Sequence, residues 1–148
     1  MEIYTFNRRL EEVLNQYDKY GHIEQSVIDF AEKELGVIFP YQYRDFLSKF
    51  GAIVGEGCEI YGLPTENVDE CPYWQNVVTV TKRLRKLQQI GTENHFFIPI
   101  SSNGENIYYF INTEYFNVTE IWAISNEEKS IVSNNLYEFI IKQYDYFS

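Results

Sequence analysis

The stretch ELGVIFPYQYRDFLSKFG, residues 34–51, constrains the fold more than any other part of the chain. Gly36 follows a segment in which Ile28, Ala31 and Leu35 share one helical face, and is placed to end that helix in a left-handed conformation. Pro40 suits the first turn of a new helix, where its missing N–H leaves no hydrogen bond unmade. Tyr43, Phe46, Leu47 and Phe50 then recur at i, i+3, i+4 and i+7, an apolar stripe, and Gly51 stops the helix. The pattern predicts two short helices joined by a tight GVIFP elbow. Every unusual residue in it has a structural task, and none is an obvious catalytic group.

The flanks extend this reading. Phe6, Leu10, Val13, Leu14 and Tyr17 predict an amphipathic first helix over residues 5–18, followed by a turn at Tyr20-Gly21. Ser26, with Asp29 three places on, resembles a capping box for the second helix. A strand is expected near 58–62, after which the chain is irregular and acidic. Over residues 76–90, Val77, Val80, Leu84 and Leu87 fall on one helical face, with a strand as the alternative because the segment opens on β-branched residues. HFFIPI, NIYYFIN and TEIWAIS are short β-branched and aromatic runs with Gly104, Asn112 and Asn126 in or beside the turns, and read as an antiparallel meander. Ser133 or Asn134 can cap a last helix carrying Leu136, Phe139, Ile140 and Phe147. The fold class is α+β: a single domain over residues 1–148, with a mostly antiparallel sheet between N-terminal and C-terminal helices. A chain of 148 residues with 45% hydrophobic residues can bury roughly two thirds of its unfolded surface, which suffices for a packed core.

The GVIFP elbow and its neighbours also carry a resemblance. Leu35-Gly36-x-x-Phe39-Pro40-x-x-Tyr43-x-x-Phe46-Leu47, preceded by Ile28 and Glu32, resembles the signature of the SUKH superfamily, named for the Smi/Knr-type regulators of fungal cell-wall assembly. IYGLP, FFIPISSNGENIYYFINT and NNLYEFIIK resemble that family's strand and turn, its paired strands and its closing helix, so the resemblance spans residues 23–142. Phe39 stands where the family has Leu, Gly51-Ala52 where it has Asn-Gly-Gly, and Glu105 and Asn112 where Asp is common, so no acidic contact is carried over at 105 or 112. The resemblance implies a binding module without catalytic residues, and in bacteria such proteins are often immunity proteins that neutralise a polymorphic toxin.

The remaining chemistry is sparse. His22 and His95 are the only histidines, and nothing in the spacing brings either to Cys58 for a nucleophile–base pair. There is no C-x-x-C, no H-x-x-x-H and no mixed cluster for a metal, and Gly55-x-Gly57 lacks the third glycine and the following helix of a phosphate cradle. No enzyme activity, cofactor or metal is therefore expected. Cys58 and Cys71 are expected as free thiols, and the charged start MEIYTFNRRLEEVL and lack of a long apolar run point to a cytoplasmic protein that spans no membrane.

Charge carries the functional expectation. The net charge of −10 argues against nucleic acid and anionic membranes as partners and favours a basic protein. The one dense basic run, Lys82 to Lys86, reads as a solvated helix face, with RNA or phosphate binding as the alternative. No Lys or Arg occurs from Phe50 to Thr81, a span that holds Glu56, Glu59, Glu66, Asp69 and Glu70 and, just beyond the acidic run, Tyr73 and Trp74. Aromatic anchors supply affinity and surrounding charge supplies encounter rate, so these seven residues are the expected partner-binding surface. From Leu87 to Glu128 a second span is free of cations and contains Glu114 and Glu120, the next candidate. The expected function is an immunity protein occluding a basic toxin domain, for which a nuclease is the natural candidate; the alternative is a regulatory adaptor in cell-wall assembly or signalling.

Overall fold

A computed structural model describes residues 3–19, 21–55, 58–63 and 76–147. Among these residues, five helices and seven strands follow in the order α1 (Ile3–Leu14), β1 (Asp18–Lys19), α2 (Gln25–Leu35), α3 (Tyr41–Phe50), β2 (Ile53–Gly55), β3 (Cys58–Ile60), α4 (Val77–Lys86), β4 (Phe97–Ser102), β5 (Tyr108–Asn112), β6 (Ile121–Ile124), β7 (Lys129–Ser133) and α5 (Leu136–Phe147). Strands β1-β2-β3 form a small antiparallel sheet and β4-β5-β6-β7 an antiparallel meander. The α+β class expected from the apolar periodicities is the class observed. The two sheets are linked where Tyr61 N–H donates to Ile100 O (2.8 Å) and Ser101 Oγ donates to Glu59 O (2.6 Å).

The core lies between the helices and one face of the meander. Val13, Ile28, Leu35, Phe46, Leu47, Val80, Ile98, Ile111, Ile121 and Phe139 are all fully or almost fully buried in it. The α3 stripe is the aromatic centre: Tyr43 packs edge-on to Phe39 and stacks on Phe46, and its buried hydroxyl donates to Tyr61 O (2.6 Å). Burial pushes the Tyr43 phenol well above its ordinary pKa, so it remains a donor throughout the neutral range. Residues pointing from the other face of the meander, Phe97, Phe110, Ile124 and Trp122, make a second small cluster capped by Lys129, whose Nζ lies 5.3 Å from the Phe97 ring centre. Pleat alternation explains the split, since neighbours such as Phe110 and Ile111 must face opposite ways.

Several local expectations change. The first helix ends at Leu14, although Tyr17 is still buried beyond it; Lys19 Nζ caps the end by donating to Leu14 O (2.7 Å). No capping box forms at Ser26, because α2 already begins at Gln25 and a residue inside the first turn cannot serve as its N-cap. Asp29 instead accepts from Gln25 Nε2 (2.8 Å) and from Arg44. Residues 77–86 form the expected helix, capped by Asn76 Oδ1, but Leu87 lies past its end and is exposed. Asn135, rather than Ser133 or Asn134, caps α5: its Oδ1 accepts from Glu138 N–H (3.0 Å). Strands β1, β2 and β7 were not expected. Among the described residues no helix is long and apolar enough to cross a membrane.

Candidate partner surface

The elbow between α2 and α3 is held by one buried carboxylate. Glu32 Oε2 accepts from Phe39 N–H (2.7 Å), and Glu32 Oε1 accepts from Arg44 Nη1 (2.9 Å), while Arg44 Nη2 reaches Asp29 Oδ1 (3.1 Å). Burial raises the Glu32 carboxyl above its ordinary pKa, against the opposing pull of the Phe39 N–H and the Arg44 guanidinium. Gly36 has φ 73° and ψ 29°, the left-handed conformation expected at this helix end, and its N–H returns to Glu32 O (2.8 Å). Pro40 precedes α3 with an extended ψ of 151°, one position earlier than a first-turn proline.

Two distant segments are tied to this elbow. His95 Nε2 lies 3.1 Å from Gly36 O, so the imidazole donates from that nitrogen. Arg85 spans the same junction, donating to Leu35 O (3.2 Å) and His95 O (3.1 Å). On the other side Tyr41 N–H donates to Phe116 O (3.0 Å), which fastens the loop between β5 and β6 to the start of α3. Thr113 completes the frame through its N–H and its hydroxyl, both donated to Phe96 O.

The frame encloses an open groove of about 850 Å³. Glu32, Val37 and Thr113 lie at its base, all buried. Ile38, Phe96 and Phe116 form its walls and leave 57%, 42% and 47% of their surface exposed. Tyr41, whose ring centre lies 6.4 Å from that of Phe116, is also exposed, as are Tyr115 and Val118 in the same loop as Phe116. Asp29, Lys33, Arg44 and Glu114 line the groove with charge. An exposed apolar cluster rimmed by polar groups is the usual anatomy of a protein-binding patch.

The cations around the groove are largely engaged with the protein itself. Arg44 is paired with Asp29 and Glu32, Lys82 with Glu34 (3.1 Å), and Arg85 with two carbonyls. Two of the four cations in the Lys82–Lys86 run, Lys82 and Arg85, therefore brace the fold at this corner, while Arg83 and Lys86 are exposed on the helix. Lys33 has no ion pair among the described residues.

Of the seven residues expected to bind a partner, Glu56, Glu66, Asp69, Glu70, Tyr73 and Trp74 lie outside the described residues. Glu59 is half-buried on β3, opposite Val54, and does not line the groove. In the second acidic span, Glu114 lies on the groove, whereas Glu120 is engaged by Asn112 Nδ2 and Trp122 Nε1. Sequence reasoning missed Ile38, Phe96 and Phe116. The available signals were the alternation Val37-Ile38-Phe39, which must send one apolar side chain outward from an extended elbow, and the apolar content of the loop TEYFNVTE.

Nucleophilic chemistry finds no support in the described geometry. Cys58 is buried on β3 with its thiol pushed up to about 12, chiefly by burial. Both imidazoles are engaged elsewhere, His22 Nδ1 at 2.9 Å from Ser48 O and His95 on Gly36 O. No group of three or more His, Cys, Asp or Glu among the described residues is arranged to hold a metal.

The sequence model of the SUKH_5 family, described as SMI1-KNR4 cell-wall, matches residues 10–145. The chain belongs to that family. The match takes in α2, the elbow, α3 and both sheets, so the groove is built from the SMI1-KNR4 domain itself. The fold is also similar to a crystal structure of a protein from Pseudomonas syringae pv. tomato, with a TM-score of 0.63 over 90% of this chain and 93% of that one. At 14% identity that likeness concerns the SMI1-KNR4 fold alone. A comparison with curated protein sequences found no match.

Proposed function

We propose that this SMI1-KNR4 domain is a non-enzymatic binding protein of the immunity type, which neutralises a cognate toxin by covering a basic surface on it. The observation that carries the reading is the groove at the elbow: exposed apolar walls, pre-positioned by hydrogen bonds, beside the carboxylates of a protein of net charge −10. Such a surface combines what occlusion needs. Aromatic and aliphatic anchors slow dissociation, and negative charge speeds the encounter with a cationic partner. A nuclease is the natural target class, because a protein that binds nucleic acid is itself basic at its active site. The acidic segment with Glu56, Glu59, Glu66, Asp69, Glu70, Tyr73 and Trp74 belongs to the same proposal on its chemistry, five carboxylates with two aromatics and no cation.

The test is to capture partners from the native host with the full chain and to express each partner alone and together with it. A partner that arrests growth alone and is harmless when co-expressed supports the immunity reading. A harmless partner from the cell-envelope machinery overturns it in favour of a regulatory adaptor, the reading favoured by the cell-wall description of the family. For a toxin partner, changing Glu66, Asp69 and Glu70 together to their amides should slow association and reduce its salt dependence, since salt screens rim charges over about 8 Å.

A further inference from the structure

We propose that the groove between the α2–α3 elbow and the β5–β6 loop receives an arginine-bearing, apolar-flanked extended segment of the partner. The inference rests on the binding reading above and adds the chemistry of what is bound. Apolar walls alone accept any hydrophobic segment, so the selection must come from charge. Arg44, the cation deepest in the groove, directs both guanidinium ends at its own carboxylates and has little left to offer an anion. Against it stands Glu114, exposed on the loop after β5 and without an ion pair among the described residues, across the groove from Asp29, whose Oδ1 already accepts from Arg44 and Gln25. Lys33, on α2, is the cation left to oppose an arriving arginine.

The walls suit arginine better than lysine. Phe96 and Phe116 offer half-exposed ring surface, over which a planar guanidinium can stack while its N–H fork meets a carboxylate. The loop need not be ordered on binding. Glu114 N–H is held by Asn112 Oδ1 (3.0 Å), Phe116 O by Tyr41 N–H, and Thr113 by Phe96 O, so the ordering cost that weakens flexible sites is already met within the fold. The volume, about 850 Å³, lies in the range of roughly 300–1,000 Å³ typical of ligand sites and is suited to a few side chains of an extended segment.

The probe is a pair of capped tetrapeptides, acetyl-Gly-Phe-Arg-Gly-amide and its counterpart with Glu in place of Arg, titrated at low salt into the ¹⁵N-labelled full chain. The Arg peptide should shift the amides of Ile38, Phe96 and residues 113–118, with the Glu peptide about tenfold weaker, the scale of one charge-assisted contact. Glu114→Gln and Phe116→Ala, both at exposed side chains, should each weaken the Arg peptide several-fold without moving the urea midpoint. Shifts elsewhere, no shifts, or tighter binding of the Glu peptide would overturn the proposal, the last by showing that the groove takes an anion through Lys33 and Arg44. A captured toxin that the chain neutralises equally well in Glu114→Gln and Phe116→Ala form would sink this inference and leave the immunity reading standing. A positive peptide titration with no neutralised toxin would do the reverse.

Discussion

Replacing Glu32 with alanine and, separately, with glutamine tests whether one carboxylate holds the elbow. Alanine leaves the buried Phe39 N–H without an acceptor, which costs about 1–3 kcal/mol. Arg44 also loses a partner, but it keeps Asp29 and some access to water, so this loss is well below the full penalty for breaking a buried pair, about 3–5 kcal/mol. The sum is offset because burial disfavours ionised Glu32 to begin with. Glu32→Ala should therefore cost about 2–3 kcal/mol. Glutamine keeps an oxygen for Phe39 N–H and removes the buried charge, so Glu32→Gln should stay within about 1 kcal/mol of wild type at neutral pH. The pH dependence follows from the raised carboxyl pKa. The folded state holds the Glu32 proton more tightly than the unfolded chain, so its contribution is complete below the ordinary value of 4.5 and is lost as pH rises through the raised folded value. Urea unfolding of wild type and Glu32→Gln at intervals from about pH 4 to about pH 7 reads this directly. The wild-type advantage should shrink as pH rises. An advantage that grows instead would mean that Arg44 and Phe39 N–H outweigh desolvation, and the account of this site would be wrong.

Three further outcomes are expected. Gly36→Ala should cost about 1 kcal/mol in urea unfolding, because an L side chain at φ 73° is strained and its Cβ would lie 3.1 Å from His95 Nε2; no loss would contradict the left-handed helix end. Phe46→Ala should cost roughly 3–5 kcal/mol, a large part of the about 5–15 kcal/mol available to a domain, and an unchanged thermal midpoint would deny that the stripe is core. In a Cys71→Ser background, native Cys58 should react with a thiol reagent far more slowly than in urea, since it is buried and its thiol is pushed up to about 12; equal rates would reopen thiol chemistry.

The elbow was legible because its determinants are local. Gly36 and Pro40 act on their own backbone, and the Tyr43–Phe50 stripe is a single-helix period. The meander was legible for the same reason, with turn residues between β-branched runs. Strand β1 was not, because Asp18-Lys19 is polar and pairs only through its backbone with Val54 and Ile53. Strand β7 was missed because Lys129, Ser130 and Ile131 lack an apolar alternation, Ile131 being exposed. The groove was illegible for a different reason. Its parts come from α2, the elbow, the approach to β4 and the loop after β5, and although the elbow's alternation and the apolar loop mark Ile38 and Phe116 singly, nothing in the sequence shows that they meet on one surface. Fold periodicity identifies what must be buried; which apolar residues are left over is decided only when the segments meet.

That leftover set divides cleanly from the set that holds the elbow. Glu32, Phe39 and Tyr43 are buried, and Arg44 turns its charge inward onto Glu32 and Asp29. Ile38, Phe96, Tyr115 and Phe116 are exposed, and the hydrogen bonds that position them run mainly through backbone atoms of Gly36, Tyr41, Phe96 and Phe116. The exposed side chains on the groove walls can therefore change without loosening its frame, whereas changes at Glu32, Thr113 or Gly36 move the frame itself. On the proposed binding reading this separation is useful, because specificity can shift at exposed side chains while stability stays with the buried ones. The ion pairs of Arg44 and Lys82 and the carbonyl bonds of Arg85 brace the corner between α2, α3 and α4, and because each ion pair also engages a carboxylate, the negative field of the proposed binding face comes from carboxylates without an ion pair among the described residues, such as Glu114.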